Sequence, residues 1–162
     1  MTSPLHRLEP VGLDFLATAP VRFDYAAPLP APGPAVFAAI SADPSTWTWF
    51  PGLADGRYES APPPGVGTIR AVVMEGVIYR ETLLAWDEPT RWAYRVDESS
   101  DATFRALAED WVIDDAGAAS TLTWTFAVDP QPELAKLIAD ARETIGAVFT
   151  AAIESLAVHL TT

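Results

Sequence analysis

Two glutamates stand where strand alternation would turn a carboxylate toward the interior. Glu81 lies between Tyr79 and Leu83, and a period of two puts all three on one face of the same strand. A buried carboxylate is costly unless paired, so on an inward face Glu81 needs an arginine, a tyrosine hydroxyl or water beside it. Burial would also raise its pKa toward the range useful for proton transfer. A solvated strand residue or a structural pair with arginine accounts for the same position. Glu109 shares an alternation with Leu107, Trp111 and Ile113, which suggests an inward face. The opposite positions Phe104, Ala106, Ala108 and Val112 are also apolar, so the register of residues 103–113 stays open. Arg105 falls on the Glu109 face and would neutralise it, hold an anionic ligand, or form a surface ion pair. The candidate acid, base and anion-holding groups are thus Glu81, Tyr94, Arg105 and Glu109. Without a distance between them, the glutamates are not a dyad.

Aromatic residues follow the same alternation. Tyr94 shares a face with Trp92 and Val96, and Trp124 with Leu122 and Phe126. Such walls suit planar apolar ligands through stacking and buried area, although ordinary core packing gives the same pattern. Trp47, Trp49 and Phe50 read as a packing plug that could also close one end of a pocket. No metal centre is expected: His6 and His159 lie at opposite ends of the chain, and there is no Cys. Asp114-Asp115 and Glu98 to Asp101 read as solvated acidic loops. Gly65-Val-Gly67 precedes a strand, where a dinucleotide fingerprint needs a helix. No cofactor is expected.

Ten Lys and Arg against 22 Asp and Glu give a net charge of −12, which repels phosphate backbones and anionic membrane surfaces. Nucleic acid and stable membrane association are therefore not expected. No apolar run reaches the roughly 20 residues needed to cross a bilayer, and Met1 to Pro20 lacks the pattern of a signal peptide. The expectation is a cytoplasmic protein of 162 residues, with an irregular arm over 1–19 and one domain over 20–162.

The elements that must position these side chains can be read from period and punctuation. The arm has one expected helical turn near Leu13 to Leu16. Val21 to Ala27 alternates as a strand. Ala35 to Ser41 has helical spacing, and Asp43-Pro-Ser supplies the cap and first turn of a second short helix, expected to end near Phe50-Pro51-Gly52. Strands follow at Gly56 to Ser60, Thr68 to Met74, Val77 to Trp86, Arg91 to Val96, Phe104 to Ile113 and Thr121 to Val128, their short loops predicting antiparallel neighbours. In the last strand, Thr121, Thr123 and Thr125 are expected to face water. From Pro132 to Leu160 one amphipathic helix of about 43 Å is predicted, its stripe formed by Leu134, Leu137, Ile138, Ala141, Ile145, Val148, Phe149, Ala152 and Leu156. The small residues Ala141, Gly146 and Ala152 would leave room between helix and sheet.

Trp47-Thr-Trp-Phe-Pro-Gly52, Gly65-Val-Gly67, Tyr79-Arg-Glu-Thr-Leu-Leu-Ala-Trp-Asp87 followed by Arg91-Trp-Ala-Tyr94, and Trp124 occur in an order that resembles the START-related superfamily, also called SRPBCC or polyketide cyclase-like, over roughly residues 20 to 160. The resemblance implies an α+β helix-grip fold. In it a strongly curved seven-stranded antiparallel sheet wraps around one long C-terminal helix, with two short helices between strands 1 and 2. Rieske-type oxygenases carry a related fold, but their cluster-binding Cys and His are missing here. The resemblance also implies a hydrophobic or aromatic small molecule bound between sheet and helix. The expected lining is Tyr79, Glu81, Leu83, Trp92, Tyr94, Trp124 and Phe126, opposite Ile138, Ala141, Ile145 and Phe149. Two other functions stay open: an enzyme similar to polyketide aromatase/cyclases using Glu81, Tyr94 and Arg105, and a protein-interaction module. Homodimerisation is left open as well.

Overall fold

The computed structural model describes residues 4–162. A two-residue strand β1 (His6–Arg7) and one helical turn α1 (Phe15–Thr18) form the arm, followed by β2 (Val21–Leu29), α2 (Gly33–Ser41) and a 3₁₀ turn (Pro44–Thr46). The meander comprises β3 (Leu53–Tyr58), β4 (Ile69–Met74), β5 (Val77–Asp87), β6 (Arg91–Ser99), β7 (Phe104–Asp115) and β8 (Ser120–Pro130). A 3₁₀ turn (Pro132–Leu134), α3 (Ala135–Ala139) and α4 (Arg142–His159) end the chain. The sheet order is β2-β8-β7-β6-β5-β4-β3, antiparallel throughout, and β1 adds an eighth short strand beside β6. This is the helix-grip arrangement that the sequence pattern implied.

Local chemistry sets the register that matters most. Glu75 and Gly76 both have positive φ, 51° and 79°, the backbone of a two-residue hairpin turn whose twist matches its strands. That turn pairs Met74 with Val77 and therefore Arg70 with Glu81. Bulges between Arg80 and Glu81, between Leu83 and Ala85, and between Phe104 and Ala106 bend the sheet. β6 and β7 pair only from Arg91–Arg95 to Ala108–Val112, and beyond that they splay apart. The arm fills the gap: His6 and Arg7 pair with Ser99 and Glu98, Leu8 N donates to Asp97 O, and Glu9 N donates to Arg105 O. Backbone groups freed by the curvature are thereby satisfied.

The arm also explains why both faces of β7 are apolar. Leu16 from α1 packs on Ala108 and Ala127 across the convex face, while Leu107, Trp111 and Ile113 join the main core. Glu109 therefore faces the interior. Thr125, expected in water, is instead buried and donates to Asp24 Oδ1 at 2.6 Å; Thr123 is half-buried and Thr121 exposed.

Other expectations are corrected. The second short helix stops after Thr46, with Asp43 capping Ser45 N. Trp47, Trp49 and Phe50 stack on one another at centroid distances of 4.8 to 5.9 Å, and residues two apart cannot share a helix face. The expected 43 Å helix is broken at Asp140 and Ala141, leaving α4 with 18 residues, about 27 Å. No Pro or Gly marks the break. It is held by tertiary contacts: Tyr25 Oη donates to Arg142 O, and Arg142 Nη2 donates to Asp24 O, both at 2.9 Å. The buried face of α4 centres on Gly146, Phe149, Ala152, Ile153 and Leu156, whereas Leu137 and Val148 of the predicted stripe are exposed.

Gly146 marks a close helix-to-sheet approach, since a Cβ there would stand 2.8 Å from Tyr25 Cε1. The Tyr25 ring is in turn stacked on Phe149. In an exposed helix Gly→Ala gains about 1 kcal/mol. Here Gly146→Ala is expected to lose about 1–3 kcal/mol by overpacking. In a Tyr25→Leu background the same change should become stabilising, as read by urea unfolding of the four variants.

Candidate functional site

The site grows from the β4–β5 hairpin. Arg70 Nε and Nη2 both lie 2.5 Å from Glu81 Oε2, and the side chains are only 4% and 3% exposed. The Arg70 guanidinium lies 4.8 Å from the Trp92 ring centroid, 4.7 Å from Tyr94 and 5.4 Å from Trp47. Cation–π attraction thus replaces part of its lost hydration. The arginines paired on β5, β6 and β7, namely Arg80, Arg91, Arg95 and Arg105, are all at least 25% exposed. Arg70 is the arginine that this fold takes inside. Burial pushes the Glu81 carboxyl above its ordinary value of 4.5, and Arg70 opposes that shift.

Glu109 is the second interior carboxyl. It stands opposite Tyr94 on β6 and Phe126 on β8, and its Oε1 accepts a hydrogen bond from Trp124 Nε1. Burial pushes its pKa up, partly offset by Tyr94, Trp124 and Arg70. Burial, followed by the charges of Glu109 and Glu81, raises the Tyr94 phenol well above 10. Tyr79 is pushed up to about 12, by burial and then by Asp101. The interior phenols are thus donors at neutral pH. Three buried donors have no partner among the described residues: Arg70 Nη1, Trp92 Nε1 and Trp111 Nε1.

These groups surround a cavity of about 330 Å³ whose wall is mostly apolar. Of the residues expected in its lining, Tyr79, Glu81, Tyr94, Trp124, Phe126, Ile138, Ile145 and Phe149 are there, and so is Glu109. Leu83 and Trp92 are fully buried in the core without reaching the cavity, and Ala141 stands outside the lining. Arg105 is on the surface, bound to Asp129 at 2.9 Å, because the bulge beside it turns its side chain away from Glu109. The small helical residues do not make the space: Tyr25 occupies the position beside Gly146, and neither it nor Ala152 lines the cavity.

Sequence reasoning missed Arg70, although the signal was present. A two-residue turn at Glu75-Gly76 dictates that residues 70 and 81 are partners, and Arg70, Val72 and Met74 share one face. It also missed Asp101 and Thr103, which the loop after β6 carries to the cavity, and Phe104 at the start of β7 as a lining residue. No group of three or more His, Cys, Asp or Glu among the described residues is placed to hold a metal ion. No helix among them is long and apolar enough to cross a membrane.

With this geometry in place, comparison with known proteins defines the class. The sequence pattern of the family described as polyketide cyclase / dehydrase and lipid transport matches residues 20–161, and the chain belongs to that family. An uncharacterised protein of Mycobacterium tuberculosis is 34% identical over 125 residues, covering 76% of this chain and 74% of its own. A START superfamily protein from Mycobacterium smegmatis superposes with a TM-score of 0.71 at 11% identity, over 86% of this chain and 98% of that one. The Zhui aromatase/cyclase from Streptomyces sp. R1128 gives 0.70 at 12% identity, over 86% and 93%. At such identities the two structures share the fold.

Two predictions follow from the buried charges. Glu81→Gln should cost about 3–5 kcal/mol by stranding Arg70, while the double variant Arg70→Met, Glu81→Leu should lose much less, as measured by chemical unfolding. For Glu109 the folded pKa lies above the ordinary 4.5. Its favourable contribution is therefore complete below pH 4.5 and is lost as pH rises through the folded value. Glu109→Gln should accordingly gain stability relative to the parent protein as pH rises above 4.5, and the difference should be flat below it.

Proposed function

We propose that the protein binds a hydrophobic or aromatic small molecule in the cavity between the sheet and the C-terminal helices. The observation that carries this reading is a mostly apolar cavity of about 330 Å³ between the sheet and the C-terminal helices, with the Tyr79, Tyr94 and Glu109 side chains in its wall. Solid packing would leave no such space, because a void forfeits the contacts its lining would otherwise make. A planar apolar molecule would stack on Tyr94, Trp111, Trp124 and Phe149 and gain most of its affinity from buried area. An oxygen on that molecule would accept from a phenol of the wall, Tyr79 or Tyr94. Family membership and fold support a ligand-binding domain of this type.

A second reading is an enzyme that folds a reactive chain and moves protons on it, favoured by the presence of Glu109 and the Tyr94 hydroxyl in the same wall. On that reading Glu109 suits the role better than Glu81, which is tied to Arg70 through one carboxylate oxygen. Native mass spectrometry of protein from its own host should show a bound mass released on denaturation. Ile145→Trp, which fills the cavity, should abolish it while leaving the fold intact. Absence of any bound mass, together with no binding of planar apolar probes, defeats the binding reading. Unchanged turnover of a poly-β-ketone by Glu109→Gln would remove Glu109 as acid or base.

A further inference from the structure

Charge inside the cavity is unbalanced. Its titratable lining consists of Arg70 on β4, Tyr79 and Glu81 on β5, Tyr94 on β6, Asp101 in the β6–β7 loop and Glu109 on β7; β8, α3 and α4 contribute none. One guanidinium therefore faces two interior carboxyl groups, with a third carboxylate at Asp101. Both hydrogen bonds from Arg70 go to Glu81, whereas the hydrogen bond that Glu109 accepts comes from a neutral donor, Trp124 Nε1.

Resting on the binding reading above, we infer that the cavity selects hydrophobic molecules carrying a basic nitrogen, held as a cation against Glu109 within the rings of Tyr94, Trp111, Trp124, Phe126 and Phe149. Among the described residues, the one side-chain hydrogen bond to Glu109 is from Trp124 Nε1 to Oε1, so its second carboxylate oxygen is the acceptor for an ammonium group. Trp124 lies 4.2 Å from Phe149 and 3.9 Å from Trp111 between centroids, and such ring clusters attract cations through their negative faces. The rival is an anionic ligand, such as a fatty acid, drawn by Arg70. Glu81 already answers the Arg70 charge, so an anion would bring one more negative charge beside Glu81 and Glu109. The whole chain's net charge of −12 steers in the same direction.

Burial favours the protonated form of Glu109 in the empty cavity, and a bound cation favours the carboxylate. Amine affinity should therefore fall as pH falls and Glu109 takes up a proton, with Arg70 staying charged throughout.

Three probes with one ring system separate the possibilities: 9-anthracenemethylamine, 9-anthracenemethanol and 9-anthracenecarboxylate, titrated by calorimetry at pH 7.5. The expected order is amine tightest, by about tenfold over the alcohol, with the carboxylate weakest. Glu109→Gln should remove the preference for amine over alcohol. Equal binding of amine and alcohol, or tighter binding of the carboxylate, overturns the cation preference but leaves the cavity reading standing. If none of the three binds, both fail. The ranking in the parent protein decides the matter even if the variant does not fold.

Discussion

An arginine and a glutamate can share an apolar interior only if each answers the other's charge and neither is left without hydrogen bonds. Arg70 and Glu81 meet most of that condition by sitting opposite each other across one hairpin, with Trp47, Trp92 and Tyr94 packed over the guanidinium. The pair contributes little net stability after desolvation, but it fixes what surrounds it. Arg70 must stay where its rings are, and those rings come from β6 and from the plug after α2. A polar anchor thus ties β4 and β5 to β6 at the centre of the sheet.

Curvature is the second constraint. Bulges in β5 and β7 bend the sheet around α4, but bending separates β6 from β7 and would expose their backbone groups. The N-terminal arm closes that split from outside, while Tyr25 closes the helix onto β2 by filling the groove at Gly146. Between these two closures the interior is underfilled. The cavity results from how far a bent sheet can approach a helix whose break at Asp140 and Ala141 changes its course.

Within that interior the two carboxyl groups have different surroundings. Glu81 is locked to a cation, whereas Glu109 accepts from an indole and stands opposite a phenol, Tyr94, on the neighbouring strand. Equal residue types in similar alternating patterns therefore carry different capacities for proton transfer and charge recognition. The difference comes from their cross-strand partners.

The strands, their faces and the interior placement of Glu81, Tyr94 and Trp124 were legible in the sequence, because alternation of period two is a local property that burial on one face enforces. The Arg70–Glu81 partnership was legible as well, from a two-residue turn that permits one register. Other features depended on distant contacts. Glu109 could face inward only once α1 had covered Ala108 and Ala127, and Arg105 could turn outward only once a bulge had interrupted β7. The helix break carries no Pro or Gly, being held by Tyr25 and Asp24 more than a hundred residues away in the chain. Gly146, which reads in sequence as missing volume, is filled by that same tyrosine. Residue pattern determined which side chains the interior would receive; only the tertiary structure decided where they left space, because space is set by how curved elements meet.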